Sequence, residues 1–257
     1  MKRILSITLI ILSLLLMSVV APVSAARSND NPGRGHPEFE KYVFVHYADG
    51  FAKKGGSGNS APQIYSYSGY HWPGGNVSYW TNSNSSRVAG ADFINGITAS
   101  FQAWQDDPAS QITFAYQGIT SAVPGLNASI PDYQNVVGWA YLSDRYPGAI
   151  AVTVVWAARG TKHIVDSDTA LNTDSYFAWT QSYTASDPDL VLLPGTAKYD
   201  VDVQSLMTHE AGHWLQLNDL YSSAAAEQTM YGYAGDRELK KRSLESGDLA
   251  GIQRIYP

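Results

Sequence analysis

Apolar residues recur at three- and four-residue spacing over Phe93, Ile94, Ile97, Phe101 and Trp104, the stripe of an amphipathic helix of roughly five turns. Shorter hydrophobic runs lie around it at 76–81, 112–116, 135–141, 149–156 and 163–172. They are rich in β-branched and aromatic residues and lie between turn-forming clusters, so they predict five strands. The polar run 82–86 reads as a turn and helix start. A second helix begins near Asp200 or Asp202, either of which has the side chain to cap it. A last helix, about 247–256, carries Leu249, Ile252 and Ile255 on one face, with Ser246 as its cap. The order strand, helix, four strands, two helices is that of an α+β domain.

The N-terminus has a different pattern. Met1, Lys2 and Arg3 precede an almost wholly apolar run from Ile4 to Val20, and Val23, Ser24 and Ala25 are small enough for cleavage. Residues 1–25 are therefore expected to be a secretory signal peptide, with an uncleaved anchor as the alternative. Residues 26–69 are rich in Gly, Pro, Ser and Asn and read as a linker or short pro-segment. Their one strand-like island, Lys41 to Tyr47, shows no clear period and suits either an extra strand or part of a pro-segment. The main domain is expected over 70–257.

Composition narrows the function. With 257 residues, 44% hydrophobic and 16% charged, the chain has material for one sizeable core. Its net charge of −6, or −8 once Lys2 and Arg3 are lost, comes with no clustered basic stripe. That disfavours nucleic acid and, after signal cleavage, a membrane surface. The chain has no cysteine, which excludes a catalytic thiol and disulfide support. The seven Trp and seventeen Tyr fall mostly in apolar runs and read as core rather than as a carbohydrate-binding face. His36, His46, His71 and His163 have no partner spacing and read as surface or hydrogen-bonded histidines.

The chemistry concentrates in His209-Glu210-Ala211-Gly212-His213. Two histidines four apart on a helix project from one face and can grip one Zn²⁺, with Glu210 beside its open position. A hydrolytic zinc site needs a third protein ligand. An eighth position along a continuing helix lies too far up the axis, whereas Asp219, six residues after His213, can return if the chain turns off the helix early.

Three segments resemble the metzincin metallopeptidases, and within them the matrixin-like group. His209 to Asp219 is similar to the metzincin motif with Asp as third ligand; Gln228-Thr-Met-Tyr-Gly-Tyr233 is similar to the Met-turn; Asp248 to Tyr256 is similar to the closing helix. Weaker similarity extends back through 164–172 and 72–114. The resemblance implies a zincin fold: a five-stranded mixed twisted sheet with an N-terminal helix, an active-site helix and a C-terminal helix. It further implies a secreted, monomeric zinc endopeptidase with His209, His213 and Asp219 as metal ligands, Glu210 as general base to zinc-activated water, and Met230 as a packing residue under the metal. A protein or peptide substrate would lie antiparallel to the edge strand 149–156, as an open sheet edge allows. A catalytically idle metal-holding binding or adhesion domain on the same scaffold is the alternative, and intact Glu210 favours the enzyme.

Some positions depart from the family pattern. Gln216 stands where the family has Gly, so it, or in part Asn218, must supply the positive φ that ends the helix, at a cost of about 1 kcal/mol for Gln. Gly232 and Ala234 replace the usual Pro and Tyr, which removes the basis for the family's pocket preference and for a Tyr ligand two residues after Met230. Ala170 stands where many matrixins bind a structural zinc through His, so one catalytic zinc is expected. Without cysteine, latency would need another blocking group, such as Asp49. Asp166, Asp168 and Asp174 offer hard oxygen ligands for Ca²⁺, with solvated strand-end acids as the competing reading.

Overall fold

The computed structural model describes residues 38–49, 51, 64–85, 87–181 and 199–257. The expected signal peptide and His36 lie outside the described residues. The elements are β1 (Phe39–Ala48), β2 (Asn76–Thr81), α1 (Gly90–Gln105), β3 (Thr113–Ile119), β4 (Val136–Ala140), β5 (Ala149–Ala158), β6 (His163–Asn172), β7 (Phe177–Thr180), β8 (Tyr199–Asp202), α2 (Val203–Trp214), β9 (Tyr233–Ala234) and α3 (Ser246–Ile255).

All five expected strands are present in one mixed sheet, and the three expected helices accompany it. Among the described residues the strand order is β3-β2-β4-β6-β5-β1-β9, a sheet of seven strands rather than five. The β2, β3, β4 and β6 pairings are parallel, while β5 runs antiparallel to β6. The strand-like island of the N-terminal segment is β1, paired antiparallel with β5 along its length. Short β9 adds in parallel to the far side of β1. The segment assigned to a linker or pro-segment therefore contributes a sheet strand, and β5 is not an edge strand. A second, two-stranded parallel sheet joins β7 to β8.

The predicted stripe of α1 is realised. Phe93, Ile97, Phe101 and Trp104 are buried, as are Leu206, Met207, Ala211 and Trp214 of α2, against which α1 packs. Burying each such side chain contributes about 1.5–3 kcal/mol. Directional bonds fix how the helices sit: Trp104 Nε1 donates to Thr208 O at 2.8 Å, and Trp72 Nε1 donates to Trp214 O at 2.8 Å. The latter satisfies a carbonyl left open at the end of α2.

Helix boundaries decide one expectation and correct two. Asp202, not Asp200, caps α2, accepting from Ser205 N at 2.7 Å, and Arg242 holds its carboxylate. Asp200 instead pairs with Arg237 at 2.9 Å. The cap of α3 is Glu245, one residue before Ser246. Helix α1 begins at Gly90 without a side-chain cap, several residues beyond the polar run at 82–86.

Candidate metal centre

Helix α2 lies buried between the sheet and α1, and it carries His209, Glu210 and His213 at 0–1% exposure. Its last turn ends where the motif requires. Gln216 adopts φ 62°, and Asn218 is not among the positive-φ residues. Gln216 N donates to His213 O at 2.8 Å and Leu217 N to Gly212 O at 3.0 Å, a closure that returns the chain toward the histidines. The Gln216 amide is buried with no hydrogen-bond partner among the described residues, so polar desolvation adds to the backbone strain.

The turn delivers Asp219. Its Oδ1 lies 3.1 Å from His209 Nε2 and 3.5 Å from His213 Nε2. Tyr221 donates its hydroxyl to the other oxygen, Oδ2, at 3.0 Å, which orients the carboxylate. The histidines are oriented from behind: His209 Nδ1 lies 2.7 Å from Thr229 O, and His213 Nδ1 lies 2.8 Å from Leu217 O. A carbonyl only accepts, so each Nδ1 carries the proton and each Nε2 presents a lone pair to the centre. His209 Nε2 and Asp219 Oδ1 have no hydrogen-bond partner among the described residues. Two neutral imidazoles and a carboxylate with free, converging donor atoms form a set that suits zinc.

Electrostatics favour the neutral ring of His209 and the ionised form of Asp219, whereas for His213 they favour the protonated ring. Burial, with help from the Lys241 charge, lowers the His209 pKa to about 4. Burial works against protonation of His213 too, but Asp219 outweighs it and raises the value. Burial likewise opposes ionisation of Asp219, yet the two histidines hold it well below the usual carboxylate range.

Glu210 stands beside this group. Burial pushes its carboxyl up to about 7. Thr153 of β5 donates to its Oε2 at 2.5 Å, Thr169 of β6 lies 2.6 Å from Thr153, and Trp214 Nε1 donates to Thr169 Oγ1 at 2.8 Å. The indole can only donate, so each hydroxyl passes its proton onward and the chain ends on the carboxylate. Oε1 has no hydrogen-bond partner among the described residues.

Beneath α2 the Met-turn supports the site. A Cβ on Gly212 would collide with Met230 Sδ and come within 2.9 Å of Trp104 Cζ2, so only glycine admits this packing. The turn is held by α3: Asp248 accepts from Thr229 N at 2.7 Å and Met230 N at 3.1 Å, and from Glu245 N at 2.9 Å. Lys241, 1% exposed, donates to Tyr231 O at 2.6 Å and Tyr233 O at 2.9 Å just beyond it.

Sequence reasoning missed His46. It is 2% exposed, its ring sits edge-on to His209 with centroids 4.1 Å apart, and its Nδ1 is 3.9 Å from Glu210 Oε1. Ligand atoms of His46, His209 and Asp219 all lie within 4.8 Å of one another. The available signal was the alternation of ring residues Tyr42, Phe44 and His46 with Val43 and Val45, which puts the rings on one face of a strand. Of the other histidines set aside, His71 and His163 meet each other, with ring centroids 5.3 Å apart. Asp49, considered as a blocking group, instead donates its backbone N–H to Ala234 O at 3.1 Å.

The acids considered for calcium are only partly united. Asp166 and Asp168 cluster with Asp132, whereas Asp174 accepts from Tyr176 N at 2.9 Å outside that group. Asp166 Oδ1 and Asp168 Oδ2 are buried without a hydrogen-bond partner among the described residues. Burial, then repulsion from Asp166 and Asp132, pushes Asp168 up to about 8, and burial brings Asp166 to about 6.

The sequence model of the Matrixin family matches residues 71–257. No curated protein matches the chain.

Proposed function

Since the chain belongs to the matrixin family, a family of zinc metallopeptidases, we propose that it is a secreted endopeptidase in which His209, His213 and Asp219 hold one zinc ion and Glu210 is the general base. The observation that carries this reading is the convergence of three buried donor atoms, with both histidine tautomers set by carbonyls, beside a carboxylate that keeps one oxygen free. Zinc supplies Lewis acidity there, making water a nucleophile near neutral pH. Glu210 takes the proton as the water oxygen bonds to the peptide carbonyl carbon. It returns that proton to the amine nitrogen as the C–N bond breaks. Burial favours proton uptake by this carboxyl, which suits it to both transfers. Thr153 fixes Oε2, so proton exchange falls to Oε1.

Secretion rests on the charged, apolar and small-residue pattern of residues 1–25. No helix among the described residues is long and apolar enough to cross a membrane. An exported protein beginning after Ala25 supports secretion by cleavage; one beginning at Met1 replaces it with an anchor. The domain acts as a monomer on extended protein segments. A divalent cation such as Ca²⁺ fits exposed Asp132 together with Asp166 and Asp168, the last two of which each carry a buried oxygen that needs a positive partner.

The direct test is cleavage of an unfolded protein, before and after chelation and zinc return, with and without Glu210→Ala. Zinc-restorable cleavage lost in the variant supports the reading. Cleavage that survives the substitution removes Glu210 as base. A zinc-loaded chain idle under every activating condition points to the binding-domain alternative.

A further inference from the structure

The cleft beside the metal centre is filled by the protein's own chain. Strand β1 pairs with β5 from Phe39↔Ala158 to Tyr47↔Ala149, antiparallel, and its other side pairs with β9 just beyond the Met-turn. An extended peptide seeking the β5 edge next to Glu210 would need the hydrogen-bonding positions that β1 holds. Tyr42, Phe44 and His46 occupy alternate positions on this strand. Tyr42 meets Tyr70, Phe44 stacks on the His213 ring with centroids 4.0 Å apart and planes 9° apart, and His46 meets His209. Both His46 nitrogens are buried without a hydrogen-bond partner among the described residues. Leaving such a group unpaired is costly, and a metal ion is the partner its surroundings offer.

From this geometry we infer that His46 is a fourth protein ligand of the metal ion, and that β1 keeps the protein latent by occupying both the coordination position and the peptide edge. The inference rests on the metal-site reading above and adds its regulation. Activation then requires β1 to leave β5, which withdraws His46 and opens the edge together. Both depend on one register: a one-residue slip would turn His46 to the opposite face of the sheet.

The chain has no cysteine, which makes a clean spectroscopic test possible. Full-length protein carrying His46→Cys is loaded with Co²⁺ in place of zinc. A near-ultraviolet thiolate-to-cobalt charge-transfer band, absent from His46→Ser, is the expected result; a folded, cobalt-loaded His46→Cys chain without that band overturns the inference. X-ray absorption on the zinc-loaded wild type needs no variant and is expected to resolve three imidazoles; two would overturn the inference even if every variant failed to fold.

Cleavage of an unfolded protein separates this from the peptidase reading. His46→Ala is expected to raise the rate at least about tenfold over the full-length wild type. The band, together with cleavage absent even from a His46→Ala chain whose β1–β5 pairing is broken by Val43→Pro, supports the ligand and counts against the peptidase. Cleavage by wild type as fast as by His46→Ala, without the band, keeps the peptidase and overturns the latch.

Discussion

The C-terminal assembly of α2, the Met-turn and α3 places its donors by short-range geometry, whereas β1 places His46 by pairing with a strand far along the chain. In the first region, one helical turn separates His209 from His213, a positive-φ residue returns Asp219, and Asp248 fastens the turn beneath. In the second, a single line of β1–β5 hydrogen bonds sets which residue faces His209. The contrast shows how a site combines permanence with release. Ligands inside a buried helix leave only if the core opens, while a strand at the margin of a sheet can detach with less of the molecule.

Perturbations that strike one region and spare the other test this contrast. The largest effect is expected at Glu210. In a His46→Ala chain, Glu210→Ala should cut peptide cleavage by about 10²–10⁴-fold while metal stays bound. A rate within a few-fold of the parent would end its assignment as base.

Next comes Asp248. Asp248→Ala strands three backbone donors behind the Met-turn and should cost about 3 kcal/mol in urea unfolding. A shift near zero would mean that α3 does not fasten the turn.

The Asp132–Asp166–Asp168 cluster lies outside both regions and serves as a control. Folding raises Asp168 from 3.8 to about 8, so below that value the folded state binds the extra proton. In chelator, stability should therefore be full below about pH 4 and decline as pH rises toward about 8, with Asp166 contributing up to about 6. Asp168→Asn should remove most of the slope and gain about 2 kcal/mol at pH 8, and Ca²⁺ should stabilise the wild type more at pH 8 than at pH 5. A flat wild-type profile would contradict the buried, like-charged cluster.

The smallest effect is expected at Gln216. Gln216→Gly relieves the left-handed conformation and removes a buried unpaired amide, so stability should rise by about 1 kcal/mol. A loss of that size would show that packing of the Gln side chain outweighs both costs.

Much of the fold was legible where one interaction range decided the outcome. The strand 163–172 and the α1 stripe followed from apolar and β-branched patterns, and the positive φ at residue 216 was expected because Gln216 stands where the resembled family has Gly. The Lys41–Tyr47 island read as a strand without a partner, because strand propensity does not specify what a strand pairs with. Thr153 and Thr169 carry no motif, so their relay to Glu210 existed only once β5 and β6 aligned. Lys241 belongs to no motif, yet it is buried on two carbonyls.

By itself the sequence determined the α+β order, the helix that carries His209, Glu210 and His213, and the turn that brings back Asp219, because these depend on periodicity and backbone geometry within a few residues. The tertiary structure alone decided that β5 is covered, that β1 covers it, and that His46 lies beside His209 and Glu210. Those outcomes depend on which distant edges find each other, and register across a sheet is written in no single segment of the chain.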